Sequence, residues 1–201
     1  MFALVESGSI TKMLNGRRGI TIDGIQHPRA IYTLWTEAER NAIGIYSIVY
    51  DDTNKKDEKW YINTNQSYAF GSGKVTATYG TATAKAHADT LYTAQDETDG
   101  LGTEGDVKVE GLKTKLIRDV KLEAANELAK TDWYVVRKSE ESTAIPSAIT
   151  THRRLVRTKA AAMETSITNA SDTPALETLY TYTTDSDGVH SRPLGELPTL
   201  E

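Results

Sequence analysis

The chain contains no cysteine and has few strongly apolar side chains. Without cysteine there are no disulfides, no thiolate catalysis and no zinc or iron–sulfur sites with cysteine ligands. Only two phenylalanines stand against ten tyrosines and three tryptophans, and rings with a polar tip suit thin cores and interfaces. With 38% hydrophobic residues and a mean hydropathy of −0.46, the composition predicts an elongated shape, an oligomer or loosely packed segments.

The charge balance and the first residues limit the partners that we expect. The net charge is −5, and general nucleic-acid binding needs a basic footprint. Residues 1–6 form an apolar run that lacks a basic region and is too brief for a signal peptide. No stretch approaches the roughly 20 apolar residues of a membrane span. We therefore expect a soluble, intracellular protein without a nucleic-acid or membrane partner.

Residues 1–80 carry the pattern of a small β-rich domain with one short helix. Asp23-Gly24 between two isoleucines is a tight-turn signal. Thr36 and Glu39 have the spacing of a capping box, which predicts a helix that ends near Ala42, with Gly44 as its terminator. Ile31, Leu34 and Trp35 are interpreted as apolar anchors just before that helix. The predicted strands cover residues 2–5, 10–14, 20–22, 45–50, 60–62, 68–70 and 74–79.

A polar segment separates this domain from the rest of the chain. Residues 81–94 are rich in Ala and Thr and predict a weak helix. Residues 89–106 hold mostly Gly, Asp, Glu and Thr with few apolar side chains, which is typical of a linker. We therefore interpret residues 81–110 as a linker between two domains.

Residues 111–170 predict a helical hairpin. Apolar residues recur at every fourth position of the first helix, which gives it one apolar stripe. Lys113, Lys115, Lys121 and Glu127 are placed mostly off that stripe. The stripe consists of Leu112, Leu116, Val120, Ala124 and Leu128, with Ile117 and Ala125 at its edge.

Helix spacing returns after a break at Thr131-Asp132-Trp133 and a short extended piece at residues 134–136. Ile145-Pro146 opens the second helix, because proline suits a first turn. The apolar face of that helix consists of Ile149, Val156, Ala160, Met163 and Ile167. Residues 171–201 are interpreted as an extended tail with one short element at 174–180. The predicted fold class is α+β.

Nothing in the chain indicates a reaction. His27, His87, His152 and His190 are scattered, so no metal site is supported. Gly71-Ser72-Gly73-Lys74 lacks the full phosphate-loop spacing and is interpreted as a hairpin turn. A glycan-acting enzyme would need paired carboxylates in a cleft. The acidic cluster Asp51, Asp52, Asp57 and Glu58 lies in a lysine-rich turn, where solvated charge is the better explanation. We expect no enzymatic activity and no cofactor.

The hairpin resembles the C-terminal region of phage tail assembly chaperones and tail-fibre assembly proteins. In those proteins a helix ends in Thr-Asp-Trp, here Thr131-Asp132-Trp133, and a second helix carries a Tyr-Arg-x-x-Leu-Arg type pattern. Here His152-Arg153-Arg154-Leu155-Val156-Arg157 keeps the Arg, apolar and Arg positions, with His in place of the usual Tyr. Upstream, His27-Pro28, residues 36–40 and Ile43-Gly44-Ile45 are similar to the N-terminal segment of the same proteins. The two similarities cover about half of the chain and occur in the expected order.

The resemblance implies a protein that binds phage tail-fibre or baseplate components and performs no reaction. One interpretation is a tail-fibre assembly chaperone in the host cytoplasm, and the other is a permanent component of the virion tail. A narrow hairpin buries its stripes poorly by itself, so we also expect a homo-oligomer. The trimeric symmetry of tail fibres suggests a trimer.

Four residues are candidates for binding a partner: Trp133, Arg153, Arg154 and Arg157. Trp133 either docks into a partner or fills the open end of the hairpin, and the second interpretation is favoured because large aromatics at such junctions usually fill core. Together with Lys159, the arginines form a solvated face, pair locally with Glu140 and Glu141 across the hairpin, or provide a surface for an acidic partner.

Overall fold

A computed structural model describes residues 1–64 and 66–200 of the chain. The chain divides into two compact units, Met1–Thr83 and Ala84–Glu201. The first is rich in strands and the second consists mainly of helices, which confirms the α+β class. The division falls close to the end of the domain predicted over residues 1–80.

Short strands and two short helices build the N-terminal unit. Their bounds, in chain order, are β1 (Phe2–Glu6), β2 (Ser9–Leu14), β3 (Ile20–Ile22), β4 (Ile25–His27), α1 (Ile31–Leu34), α2 (Glu37–Ala42), β5 (Ile45–Asp51), β6 (Tyr61–Ile62), β7 (Ser67–Gly71) and β8 (Lys74–Thr78). The strand β9 (Thr83–Ala84) lies at the boundary between the units.

The main sheet has the strand order β2-β1-β5-β8-β7. The pair β5 and β8 is parallel, and its neighbours pair antiparallel. Successive side chains of a strand point to opposite faces, and β1 is buried on both. Leu4 belongs to one hydrophobic cluster with Ile31 and Ile45, whereas Ala3 and Val5 belong to a second cluster.

Local turn and cap signals of the N-terminal unit are confirmed. Asp23-Gly24 joins β3 to β4, and Gly71-Ser72-Gly73-Lys74 is the turn between β7 and β8. The capping box of α2 is present in full, with the Thr36 hydroxyl accepting from the Glu39 amide. The anchor prediction for Leu34 is wrong: its side chain is 79% exposed. The other two predicted anchors are confirmed, since Ile31 is buried in the core and Trp35 packs against the same cluster.

The C-terminal unit contains β10 (Thr90–Leu91), α3 (Ala94–Thr98), β11 (Val107–Val109), α4 (Leu112–Ala129), α5 (Asp132–Glu141), α6 (Ser147–Asn169), α7 (Thr173–Tyr180), β12 (Thr183–Thr184) and β13 (His190–Ser191). Among the residues described, no helix is both long and apolar enough to cross a membrane.

The antiparallel helices α4 and α6 form the core of this unit. The Nζ atom of Lys113, near the start of α4, donates to the carbonyl of Thr168, near the end of α6. All five residues of the predicted apolar face of α6 are buried. On α4 the stripe is confirmed from Leu112 to Ala124, but its last buried residue is Glu127 rather than Leu128.

Two predictions for the hairpin and tail are wrong. Residues 134–136 belong to the helix α5, not to an extended piece. The short element predicted at 174–180 is confirmed as α7, but the rest of the tail over residues 171–201 is not simply extended, because it contains the paired strands β12 and β13. The Asp172 carboxylate caps α7 by accepting from the Ala175 amide at 2.8 Å. A side chain that satisfies an open helix N–H favours helix over extended chain.

The segment interpreted as a linker holds a small ordered element, which we call the β arm (residues 90–109). The weak helix predicted over residues 81–94 is absent, and short strands occur in that range. Strands β10 and β11 pair antiparallel, and α3 lies between them in the chain. Thr93 and Asp96 form a capping box at the start of α3, and Lys108 Nζ lies 2.6 Å from Asp96 Oδ1.

These contacts make the β arm sensitive to acid. The hydrogen bond from Lys108, followed by those from the Thr93 amide and hydroxyl, lowers the pKa of Asp96 from 3.8 to about 2. A carboxyl with a depressed pKa stabilises the fold above its ordinary pKa, and that contribution disappears as the pH falls through the depressed value. We expect the Asp96 carboxyl signal in NMR to titrate near pH 2, and Lys108→Gln to shift the midpoint upward. A wild-type midpoint near 3.8 would contradict these contacts.

Candidate protein-binding surface

The junction between α4 and α5 is built around a buried arginine. Arg153 of α6 is 8% exposed. Its Nη1 atom donates to the carbonyl of Leu128 and to the hydroxyl of Thr131, both at 2.7 Å. Its Nη2 atom lies 2.8 Å from Oδ1 of Asp132. One guanidinium therefore joins the end of α4, the buried Thr131 and the first residue of α5.

The buried position of Arg153 shows whether this residue belongs to an exposed basic surface. The carbonyls of a last helical turn have no partner within the helix, and the planar guanidinium can satisfy several acceptors at once. All three contacts lie within the C-terminal unit, so Arg153 positions α5 and does not belong to an exposed basic surface.

The helix α5 has no buried residue. Trp133 is 51% exposed and Val136 is 52% exposed. The prediction that Trp133 fills the end of the hairpin is therefore wrong. Thr131 and Arg153, both buried, occupy the junction instead, so the indole is left at the surface.

Two exposed residues of α5, Trp133 and Val136, and two half-buried ones, Tyr134 and Arg137, form one surface. The rings of Trp133 and Tyr134 stack with centroids 3.8 Å apart, and the Arg137 guanidinium lies 4.6 Å from the Trp133 ring. Val136 follows Trp133 by three positions and therefore shares its face of the helix. We call Trp133, Tyr134, Val136 and Arg137 the α5 surface.

The two remaining candidate arginines lie on the solvent side of α6. Arg154 and Arg157 are exposed, and neither forms an ion pair in the part of the chain that the structure describes. The proposed local pairing with Glu140 and Glu141 is absent from the same contacts. Leu155 is also exposed, but it lines a groove with His152 and Leu200 and does not lie between the two arginines.

A buried polar cluster lies beside the junction. Glu127 of α4 and His152 of α6 are both buried, with Nε2 and Oε1 3.2 Å apart. A hydrogen bond from Lys130 lowers the pKa of Glu127, and the backbone N–H of Leu200 acts in the same direction. The contacts of Glu127 thus join α4 to the C-terminal residues of the chain.

Sequence reasoning missed Glu127 because of its residue type. Its spacing could have identified it, since it follows Ala124 by three positions and so lies on the same face of α4. A buried carboxylate requires partners. Its hydrogen bonds come from Lys130 and from the backbone of the distant Leu200, whereas His152 lies 3.2 Å away without forming a hydrogen bond.

The acidic cluster noted in the sequence forms contacts with residues close by in the chain. The carboxylates of Asp51 and Asp57 accept from the backbone amides of Thr53 and Lys59, at 3.0 and 2.8 Å, and close turns. Within residues 1–64 and 66–200, no group of three or more His, Asp or Glu side chains could hold a metal ion.

Comparisons of the chain with family models, with curated proteins and with solved structures find no significant match. Function is therefore inferred from the α5 surface and from the order of motifs along the chain.

Proposed function

We propose that this protein is a non-enzymatic binding module whose docking surface is the α5 surface. We propose further that its partner is a phage tail-fibre or baseplate protein and that it acts as a tail-fibre assembly chaperone. The observation that carries the proposal is the exposure of Trp133, stacked on Tyr134 and Arg137, on a helix with no buried residue.

An exposed cluster of this composition is well suited to protein binding. Trp, Tyr and Arg are the residues most enriched among those that dominate binding energy. A contiguous apolar surface in water is unfavourable unless a partner covers it. Because Arg153 fixes the first turn of α5, the aromatic pair is held in place before binding. A surface that is already ordered loses less conformational entropy when a partner docks.

The choice of a tail-fibre partner rests on the resemblance. Thr131 of the Thr-Asp-Trp motif and Arg153 of the Arg-rich helix are 22 residues apart in the chain, yet Thr131 and Asp132 both contact Arg153. Thr131, Asp132 and Arg153 therefore act together to fix the start of α5, with Trp133 exposed. This supports the proposal, because a signature that presents an aromatic residue fits a binding role.

Co-expression with the neighbouring tail genes tests this function. We expect the wild-type chain to recover a tail-fibre or baseplate protein in a pull-down, and Trp133→Ala to weaken that binding by at least about tenfold, because a central aromatic typically contributes about 2 kcal/mol or more. Helix content should be unchanged, since the indole packs on no buried side chain of α5.

Leu34→Ala is the matched control, because Leu34 is also a large exposed apolar residue but lies in the other unit. It should leave recovery of the tail protein unchanged. Recovery of no tail protein by the wild-type chain would overturn the proposal. If purified particles contain the chain in stoichiometric amount, it is a permanent virion component rather than a chaperone.

A further inference from the structure

Aromatic rings, rather than a carboxylate of its own chain, hold the side chain of Arg137. Its guanidinium lies 4.6 Å from the ring centroid of Trp133 and 5.4 Å from that of Tyr134. The exposed Glu140 and Glu141 follow it by three and four positions, a spacing at which Arg and Glu can pair on a helix. Among the described residues Arg137 nevertheless takes part in no ion pair. The rings therefore fix the guanidinium and leave its charge without a counter-charge.

The stacked guanidinium keeps its outer hydrogen-bonding edge open. The Nε atom of Arg137 is buried without a hydrogen-bond partner, whereas its two Nη atoms are not buried. The planar fork of a guanidinium matches the two oxygens of a carboxylate. Because the two rings already hold this fork, the side chain loses little conformational entropy when an anion binds to it. Arg137 is thus arranged to receive a carboxylate.

The charges close to Arg137 favour a single carboxylate over an extended polyanion. Glu140 and Glu141 are exposed on the same helix, and the carboxylate of Asp132 at the start of α5 is largely exposed as well. A nucleic acid would bring a row of phosphates toward these three carboxylates, and like charges that face each other across an interface are unfavourable. One carboxylate directed at Arg137 avoids this repulsion.

Apolar side chains lie on the same face of α5 as Arg137. Trp133 precedes it by four positions and contacts it directly, and Val136 shares the face of Trp133. Both apolar side chains are about half exposed. An apolar side chain next to the partner's carboxylate would cover them and exclude water, which strengthens a charge pair. The surface therefore fits a segment that has Asp or Glu beside a large apolar residue.

We propose that the α5 surface selects an acidic segment of its partner protein. An Asp or Glu carboxylate of that segment binds the guanidinium of Arg137, and an adjacent apolar side chain packs on Trp133. This inference rests on the proposed function, because it specifies what the same surface recognises. The aromatic pair alone accepts many apolar side chains, whereas Arg137 rejects a segment that places Lys or Arg against it. Arg137 is therefore the residue that determines specificity.

Affinity measurements between the full-length chain and the tail protein recovered in the pull-down test this selection. We expect Arg137→Gln to weaken binding by at least about tenfold, because it leaves the partner's carboxylate in the interface without a counter-charge. Between about 0.05 and about 0.5 M NaCl the affinity of the wild-type chain should fall, and that of Arg137→Gln should change much less. If Arg137 only positioned Trp133, the substitution would leave the salt dependence unchanged.

Lys138→Gln is the matched control, since it removes the same charge from an exposed side chain at the next position of α5. It should keep the affinity and the salt dependence close to those of the wild-type chain. Equal effects of the two substitutions would overturn the proposal. Treatment of the tail protein with phosphatase or nuclease should not change the affinity, and loss of binding after either treatment would show that Arg137 binds a phosphate instead.

An exchange of charges identifies the carboxylate on the partner. Arg137→Glu should weaken binding more than Arg137→Gln does, and replacement of one Asp or Glu of the tail protein by Arg should restore it. Because an unfolded variant could not be rescued in this way, restoration shows direct contact, and failure of every such replacement would overturn the inference.

The outcomes for the surface and for its specificity are distinguishable. A wild-type chain that recovers no tail protein overturns the proposed function and this inference together. Recovery that depends on Trp133 but not on Arg137 leaves the proposed function standing and overturns this inference alone.

Discussion

Replacing Arg153 with alanine should lower the free energy of unfolding of the C-terminal unit by about 3 kcal/mol. The change removes a buried guanidinium and leaves the Leu128 carbonyl and the Thr131 hydroxyl without this donor. The pair with Asp132 adds little, because that carboxylate is largely exposed and solvent screens it. Arg153→Lys should restore only part of the loss, since an ammonium cannot reproduce the planar fork.

Denaturant unfolding followed by helical circular dichroism measures this effect, because the long helices all belong to the C-terminal unit. Arg154→Ala is the neighbouring control, and it should change stability by less than about 0.5 kcal/mol because its side chain is exposed and unpaired. Equal effects of the two substitutions would mean that Arg153 does not hold the junction.

Replacing Gly44 with alanine should destabilise the N-terminal unit by about 3 kcal/mol. Gly44 has a φ of +79°, and a Cβ atom there would lie 2.7 Å from the carbonyl oxygen of Val5. The backbone cannot yield easily, because the Val5 amide donates to the Gly44 carbonyl at 2.8 Å in the same place. The substitution therefore combines left-handed backbone strain with a steric clash.

Gly24→Ala separates the two contributions. Gly24 has a φ of +78°, and a Cβ atom there would meet nothing within 4 Å. Its substitution should cost about 1 kcal/mol, which is the backbone strain alone. Hydrogen exchange of the amides in β1 and β5 measures both variants. Equal losses would show that the approach of Val5 to Gly44 contributes nothing.

The α4–α5 junction shows why residue type misled the assignment of the binding surface. Trp133 is predicted to be core because it is large and aromatic, and Arg153 to be surface because it is charged. In the structure Arg153 is buried and Trp133 is exposed, because the unpaired carbonyl groups at the end of a helix require hydrogen-bond donors rather than an apolar side chain. Of Arg153, Arg154 and Arg157, only Arg153 points toward the junction between α4 and α5. The spacing of the three arginines along the chain does not show which of them does so.

The sequence by itself determined the features that depend on neighbours along the chain. These are the α+β class, the capping box at Thr36 and Glu39, the left-handed position of Gly44 and the buried face of α6. Each follows from helix periodicity or from a turn of a few residues, and such local preferences act before any distant contact forms. The order of motifs from His27 to Arg157, which carries the proposal of a tail protein, is likewise a property of the sequence.

Tertiary structure alone decided which side chains are free to meet a partner. The burial of Arg153 and Glu127, and the exposure of Trp133 that goes with it, result from contacts between residues far apart in the chain. A buried charge is stable only where distant groups satisfy it, and an apolar side chain stays exposed only where no distant element packs on it. Whether a charge is satisfied and whether an apolar side chain is covered both depend on how α4, α6 and the C-terminal residues pack together. The periodicity of the sequence does not predict that packing.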